Sequence, residues 1–353
     1  MRAWSILQVF TSEYQMNQAL LRGVGVVTLA GILQGSFAAP MKRMPAWRWE
    51  NTWLLFALSG LIVSPWIVNF ATVPNVTSVY AGASPSTLIK VFLFGLLWGV
   101  GATLFGLAIS RVGMALGFAL ILGITSSFGS LIPMAILHPE QLLAKRGLAL
   151  IAGTAVMVLG LVLLALAGRT RERDLGTGDG GRSGFAFGLV LCIFSGIFSS
   201  MMNFSFVFGE ELKLRALHSG TSNAMAANPI WALTVTGGFV ANSLYCVYLL
   251  TKNRTWSVFR EGNPSAYWLL GILMGLLWFG GTVLYGMGAA SLGALGGIVG
   301  WPIFMTIDIL GALFWGAVSG EWQGVSRRAL VYNWAGVGVL LVAIGVISAG
   351  NAT

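Results

Sequence analysis

GLLWGVGATLFGLAISRVG, residues 95 to 113, returns 180 positions later as GLLWFGGTVLYGMGAASLG, residues 275 to 293, with eight identities in nineteen and no gap. The shared positions begin with Gly95/Gly275, Trp98/Trp278, Gly101/Gly281, Gly106/Gly286 and Gly113/Gly293, so small residues and one indole hold fixed places in two long apolar segments. Small residues at fixed spacing let helices approach closely inside a membrane, where bulky apolar side chains gain nothing over lipid. Duplicated membrane halves are the ground plan of secondary transporters, because two related bundles rocking about a central site give alternating access.

Composition carries the reading outward from that repeat. The chain is 56% hydrophobic and only 9% charged, with a mean hydropathy of +0.82 and 48 Gly in 353 residues. A membrane core about 30 Å thick takes roughly 20 apolar residues as a helix. Ten segments of that kind are predicted, at about 20–39, 52–71, 86–110, 113–135, 147–167, 184–208, 225–250, 266–290, 292–318 and 329–350. They are continuously apolar, not alternating over about ten residues as barrel strands are. The fold class is therefore an all-α integral membrane protein with ten transmembrane helices. The first nineteen residues lack a compact apolar core and a small-residue cleavage site, so they read as an interfacial tail and not as a signal peptide.

The longest polar break, RTRERDLGTGDGGR from Arg169 to Arg182, follows helix five and reads as a flexible linker. It sets a first five-helix repeat over 1–168, a linker over 169–183 and a second repeat over 184–353. An odd number of helices per half makes the second half enter the membrane from the opposite side, so the repeats are expected to be inverted. The pairs Lys145-Arg146 and Arg327-Arg328, opening helices five and ten, fit this alignment. Of the 20 Lys and Arg, 13 fall in loops after odd-numbered helices. Excess Lys and Arg marks cytoplasmic loops, which puts both termini in the periplasm. The net charge of +9 thus speaks to orientation in the bilayer, not to nucleic acid.

Enzymatic and metal chemistry find no support. Cys192 and Cys246 lie singly within apolar helices, and His138 and His218 fall in predicted loops without a second ligand or nucleophile nearby. No nucleophile elbow, zinc motif, phosphate loop or dinucleotide fingerprint stands in a strand-helix context, and the run GTGDGG, residues 176 to 181, follows no strand. No cofactor is expected.

Five stretches carry a resemblance: AAPMKRMPAWRWENTW at 38–53, VFLFGLLWGVG at 91–101, GMALGFALILGIT at 113–125, GIFSSMMNFSF at 196–206 and GEW at 320–322. Together they resemble the L-rhamnose-proton symporter family of the drug/metabolite transporter superfamily, over nearly the whole chain. The resemblance implies ten helices in inverted repeats and proton-driven uptake of L-rhamnose or a related sugar across a bacterial inner membrane. Where the family is expected to carry a polar cluster early in helix nine, this chain reads LGALGGIVGWPIF, apolar from Leu292 to Phe304 apart from the Trp301 indole. That departure leaves the particular solute open. A proton-coupled exporter or facilitator of another small metabolite is the alternative.

A proton-coupled carrier needs a group that binds a proton on one side and releases it on the other. A carboxylate in a low-dielectric interior suits that role, since desolvation favours its protonated form. Asp308 is the acidic residue placed well inside a predicted helix, where an unpaired charge costs about 2.5–3.5 kcal/mol on insertion scales. Trp301, Met305 and Asp308 share one face of helix nine at helical spacing, and Pro302 interrupts its backbone bonding. At the mouth of helix two, Glu50 is expected to pair with Lys42, Arg43 or Arg48 as a gate. Sugar sites combine aromatic faces with a few polar groups. By that criterion the expected substrate-binding residues are Gln34, Trp98, Asn203, Trp278, Tyr285 and Trp301, with Ser199 on the same face of helix six as Asn203. Trp98 and Trp278, related by the repeat, are expected to face each other across the cavity.

Overall fold

The computed structural model describes the backbone of residues 2–112, 114–176 and 185–351. Gly113 and most of the linker's glycine-rich part lie outside the described residues. Ten long apolar helices make up the architecture, and no strand occurs among the described residues. They are α1 Arg2–Gly35, α2 Trp49–Thr72, α3 Pro85–Val112, α4 Met114–Leu137, α5 Lys145–Asp174, α6 Phe185–Phe208, α7 Asn228–Lys252, α8 Pro264–Ser291, α9 Gly296–Val318 and α10 Arg327–Asn351. Short helices Val76–Gly82, Pro139–Leu142 and Glu210–His218 run between them.

Boundaries move from the sequence expectation for local reasons. The helix of α1 begins at Arg2, so the expected interfacial tail is helical along its length. The expected linker loses its first six residues to α5, which continues to Asp174. The Asp174 carboxylate then accepts the Ser326 N–H at 2.8 Å. Helix α9 starts at Gly296 because the preceding Gly293 adopts φ +81°, a left-handed turn that separates it from α8. In α2, Pro65 offers no N–H to the preceding turn, and Leu58–Val63 widens into a π turn just before it.

Side-chain bonds at the helix ends separate two faces. On the face where odd-numbered helices end, Lys42 and Arg171 pair with Glu321, and Glu50 bonds to Asn253 and Thr255. On the opposite face, the Glu211 carboxylate accepts from the Ser84 N–H at 2.8 Å, from the Ser84 and Thr87 hydroxyls at 2.6 Å each, and from Arg215 at 3.1 Å. The first face, which carries the majority of the Lys and Arg, is called the basic face below.

Glycines explain the close packing, and they come in matched sets. A Cβ on Gly95 would sit 1.8 Å from the Thr234 carbonyl of α7, and one on Gly275 would sit 2.1 Å from Ser59 Oγ of α2. Likewise Gly101 abuts Ser199 on α6, while Gly281 abuts Ala30 and Gln34 on α1. Gly31 rests against Ile307 and Phe304 of α9, and Gly196 against Ile124 and Ile121 of α4. Gly23 meets Leu292 as Gly188 meets Val112. Each glycine pair thus occupies one kind of crossing twice. The helix pairings α1·α8 and α3·α6, α1·α9 and α4·α6, α2·α8 and α3·α7 likewise exchange when each helix is replaced by the one five further along. Helices α5 and α10 pack on each other along Gly153, Gly160 and Gly336 and join the rest of the bundle through α4 and α9.

Candidate functional site

A cavity of about 180 Å³ lies between α1–α4 and α6–α9. Drug-sized pockets start near 300 Å³, so this one suits a small solute. Its core is the pair of repeated tryptophans: Trp98 and Trp278 stack with centroids 5.3 Å apart and planes at 28°. They meet here because the glycines flanking them bring α3 against α7 and α8 against α2 without intervening side chains. Phe37, Trp53 and Phe56 form the wall toward the basic face, with Trp53 and Phe56 tilted at 4.9 Å. Ile121, Leu122 and Met305 make the apolar floor.

Polar groups are few, and among the described residues no charged one lines the cavity. Asn242 is fixed, accepting from the Trp53 indole at 2.9 Å and donating to the Gly238 carbonyl at 2.9 Å. Trp301 donates its indole N–H to the Thr125 carbonyl at 3.2 Å, which ties α9 to α4. Gln34 is 7% exposed, and among the described residues its side chain has one bond, a 3.5 Å contact from Thr282 to its carbonyl oxygen. Its amide N–H groups, the Ser199 hydroxyl and the indole N–H groups of Trp98 and Trp278 have no partner among the described residues.

Two expected substrate residues, Asn203 and Tyr285, stand outside this lining. Pro133 has no N–H, so the Gly129 carbonyl four residues earlier loses its helical donor. Asn203 supplies one instead, donating to Gly129 O at 2.6 Å and to Gly297 O at 2.9 Å. Its own carbonyl oxygen accepts the Tyr285 hydroxyl at 2.7 Å. The hydrogen-bonding capacity of Asn203 is spent on a clamp joining α4, α6, α8 and α9. Around it Phe206 stacks on Trp231 at 4.8 Å and Tyr285 on Phe304 at 4.8 Å, filling the bundle between cavity and opposite face. Buried Trp231, Tyr285 and Phe304 close that side by packing.

The expected pairing of Glu50 with Lys42, Arg43 or Arg48 is replaced by other partners. Glu50 is buried and accepts from Asn253 at 3.0 Å and Thr255 at 2.8 Å, holding α2 to the end of α7. Lys42 pairs with Glu321 of the GEW stretch, which Arg171 also meets at 3.2 Å. Uncharged donors from the loop after α7 thus take the hydrogen-bonding role expected of Lys42, Arg43 or Arg48. Asp308 follows Met305 by one turn, is half-buried, and has no hydrogen bond or ion pair to the described residues. Its backbone carbonyl would sit 2.3 Å from a Cβ on Gly35, so α1 and α9 touch backbone to backbone there. The sequence reading missed Asn242 and Trp53; an amide in the apolar run FVANSLYC was the available signal.

A ten-helix apolar bundle around a small, uncharged, aromatic-walled cavity is the architecture of a membrane carrier for small solutes. The model of the L-rhamnose-proton symport protein family matches residues 16–353, and the chain belongs to that family. Among curated relatives, the L-rhamnose-proton symporter of Klebsiella pneumoniae subsp. pneumoniae is 29% identical over 345 residues, covering 96% of this chain and all of the relative. Those of Escherichia coli O1:K1 / APEC and Shigella boydii serotype 18 are each 28% identical over 344 residues, with the same coverage.

Proposed function

We propose that this chain imports L-rhamnose or a closely related neutral sugar together with protons across a bacterial inner membrane. The observation that carries the reading is the uncharged mid-membrane cavity, walled by the stacked Trp98 and Trp278 and holding the free amide of Gln34. A sugar ring offers an apolar C–H face to indole and hydroxyls to neutral donors, whereas an anionic solute would call for a cation in the lining. Gln34, Trp98, Trp278 and Trp301 contact the substrate in this reading. Asn203 and Tyr285 shape the closed wall beneath it, and Glu50 and Lys42 hold junctions on the basic face.

Asp308 carries the proton. It is a carboxylate without a partner among the described residues, one turn from the cavity residue Met305, and an unpaired charge there is costly enough to favour protonation coupled to movement. The matched glycine crossings support two inverted repeats, 1–168 and 184–353, joined through 169–183, and the basic face supports periplasmic termini.

The test is external pH in a lightly buffered, de-energised suspension of expressing cells. L-rhamnose should produce an alkaline jump that an uncoupler abolishes. Asp308→Asn should insert normally and keep sugar counterflow while losing proton-driven accumulation. No jump with any of a panel of deoxy and neutral sugars, with the protein present in the membrane, would instead favour a facilitator or exporter of another small metabolite.

A further inference from the structure

We infer that Gln34 and Ser199 are the two positions that read the substrate's hydroxyl groups and fix its orientation, a conclusion that rests on the sugar-transport reading above. The internal repeat makes them counterparts. Gly23 and Gly188, and Gly31 and Gly196, make matching crossings at one spacing of 165 positions, and that spacing carries Gln34 onto Ser199. The opposing helices agree: the Gly281 position faces the backbone N of Gln34, and the equivalent Gly101 position faces the backbone N of Ser199.

Both residues line the cavity, and both present unused hydrogen-bonding groups to it. Gln34 approaches the cavity from α1 and Ser199 from α6, and the stacked Trp98 and Trp278 line it with them. A buried amide without a partner costs free energy that a ligand hydroxyl recovers. Of the other side-chain polar groups of the lining, Asn242 and the Trp53 and Trp301 indoles are already bonded, Thr125 donates to Gly196 O at 3.2 Å, and the unbonded indole N–H groups of Trp98 and Trp278 can only donate, from the edges of the stacked rings. The pair is chemically unequal. A carboxamide reaches a hydroxyl at one end of the ring with two donors, and a short hydroxyl meets the other end with one. That inequality breaks the pseudo-symmetry of the frame and admits a sugar in one direction.

The experiment is equilibrium binding of tritiated L-rhamnose to the purified full-length protein in detergent, displaced by L-rhamnose analogues each lacking one hydroxyl. Gln34→Leu keeps the volume and Ser199→Ala removes one oxygen; each should weaken L-rhamnose binding about tenfold. Each variant should also stop discriminating against one analogue, and the two analogues should differ. Should Gln34→Leu lower the thermal midpoint so far that no folded protein is recovered, Gln34→Asn withdraws the amide by one methylene and is expected to lose the same discrimination. If wild-type protein discriminates among the analogues and the variants keep the identical profile, the inference is wrong while the sugar reading stands. If wild-type protein shows no saturable L-rhamnose binding, the sugar reading fails and the inference with it.

Discussion

Replacing Asn203 by Leu should open the closed side of the carrier. The residue makes three hydrogen bonds, of 2.6, 2.9 and 2.7 Å, across α4, α6, α8 and α9. Interhelical hydrogen bonds in membranes average about 0.6 kcal/mol, so the three amount to ~2 kcal/mol. Tyr285 can still reach Gly297 O at 2.9 Å, but Gly129 O is left without a donor because Pro133 has none to give. An orphaned buried carbonyl adds roughly 1 kcal/mol, for about 3 kcal/mol in total, or two orders of magnitude in the equilibrium between closed and open. The matching clamp is missing toward the basic face. The repeat counterparts of Asn203, Tyr285 and Gly129 are Ala38, Phe105 and Ala312, and none of their side chains can hydrogen bond. The assay is labelling of Ala227→Cys, buried beside Gly286 on the closed side, by a membrane-impermeant thiol reagent in a background lacking Cys192 and Cys246. Labelling should rise steeply in the Asn203→Leu protein. A lower thermal midpoint with unchanged labelling would show that the bonds hold the fold and do not govern access.

Other outcomes follow from the same contacts. Gly95→Ala puts a methyl 1.8 Å from the Thr234 carbonyl and should cost at least about 1–3 kcal/mol, read as lost membrane abundance and a lower thermal midpoint. Gly106→Ala, with nothing within 4 Å, should be neutral or stabilise by up to ~1 kcal/mol, although both glycines belong to the repeated stretch. Glu211→Ala removes the acceptor for the first turn of α3 and should destabilise by about 1–3 kcal/mol, measured by thermal unfolding in detergent. Reporter fusions at the two ends should both be active in the periplasm; cytoplasmic termini would reverse the orientation drawn from the basic face.

The ten helices were legible because a membrane core demands long apolar runs and helical backbone bonding, and both are visible in one dimension. The stacking of Trp98 on Trp278 was legible for a related reason: equivalent residues of a repeat meet when they lie at its axis, and large aromatic side chains can reach across it. The fate of Asn203 was not. Its role depends on an orphan carbonyl that Pro133 creates on another helix, 74 positions away from Asn203, and no pattern local to helix six carries that information. Glu50 failed as a partner of Lys42 for a similar reason, since Asn253, Thr255 and Glu321 come from distant loops.

The alignment of the halves also bears on how the proton enters. Ile307 and Phe304 meet Gly31 as Ile124 and Ile121 meet Gly196, and the spacing of 183 that relates them makes Asp308 the counterpart of Thr125. The two are placed differently: Thr125 lines the cavity, while Asp308 lies outside the lining. In a carrier of inverted repeats, a second state is reached when each half takes up the arrangement the other now has, since the two are built to the same plan. Asp308 would then come onto the cavity wall as Thr125 leaves it, in the state with the Asn203 clamp released and the opposite face open. On the proposed reading, a carboxylate reached from that face, and withdrawn when the cavity turns to the basic face, would load its proton on the side where the sugar enters. Cysteines tested singly make the exchange visible in the cysteine-free background. Thr125→Cys should react with impermeant reagent from the basic face, and Asp308→Cys from the opposite face, more so when Asn203→Leu is added. Reaction of both from one face would refute the exchange, and because labelling does not require transport, the result is independent of whether Asp308→Cys transports.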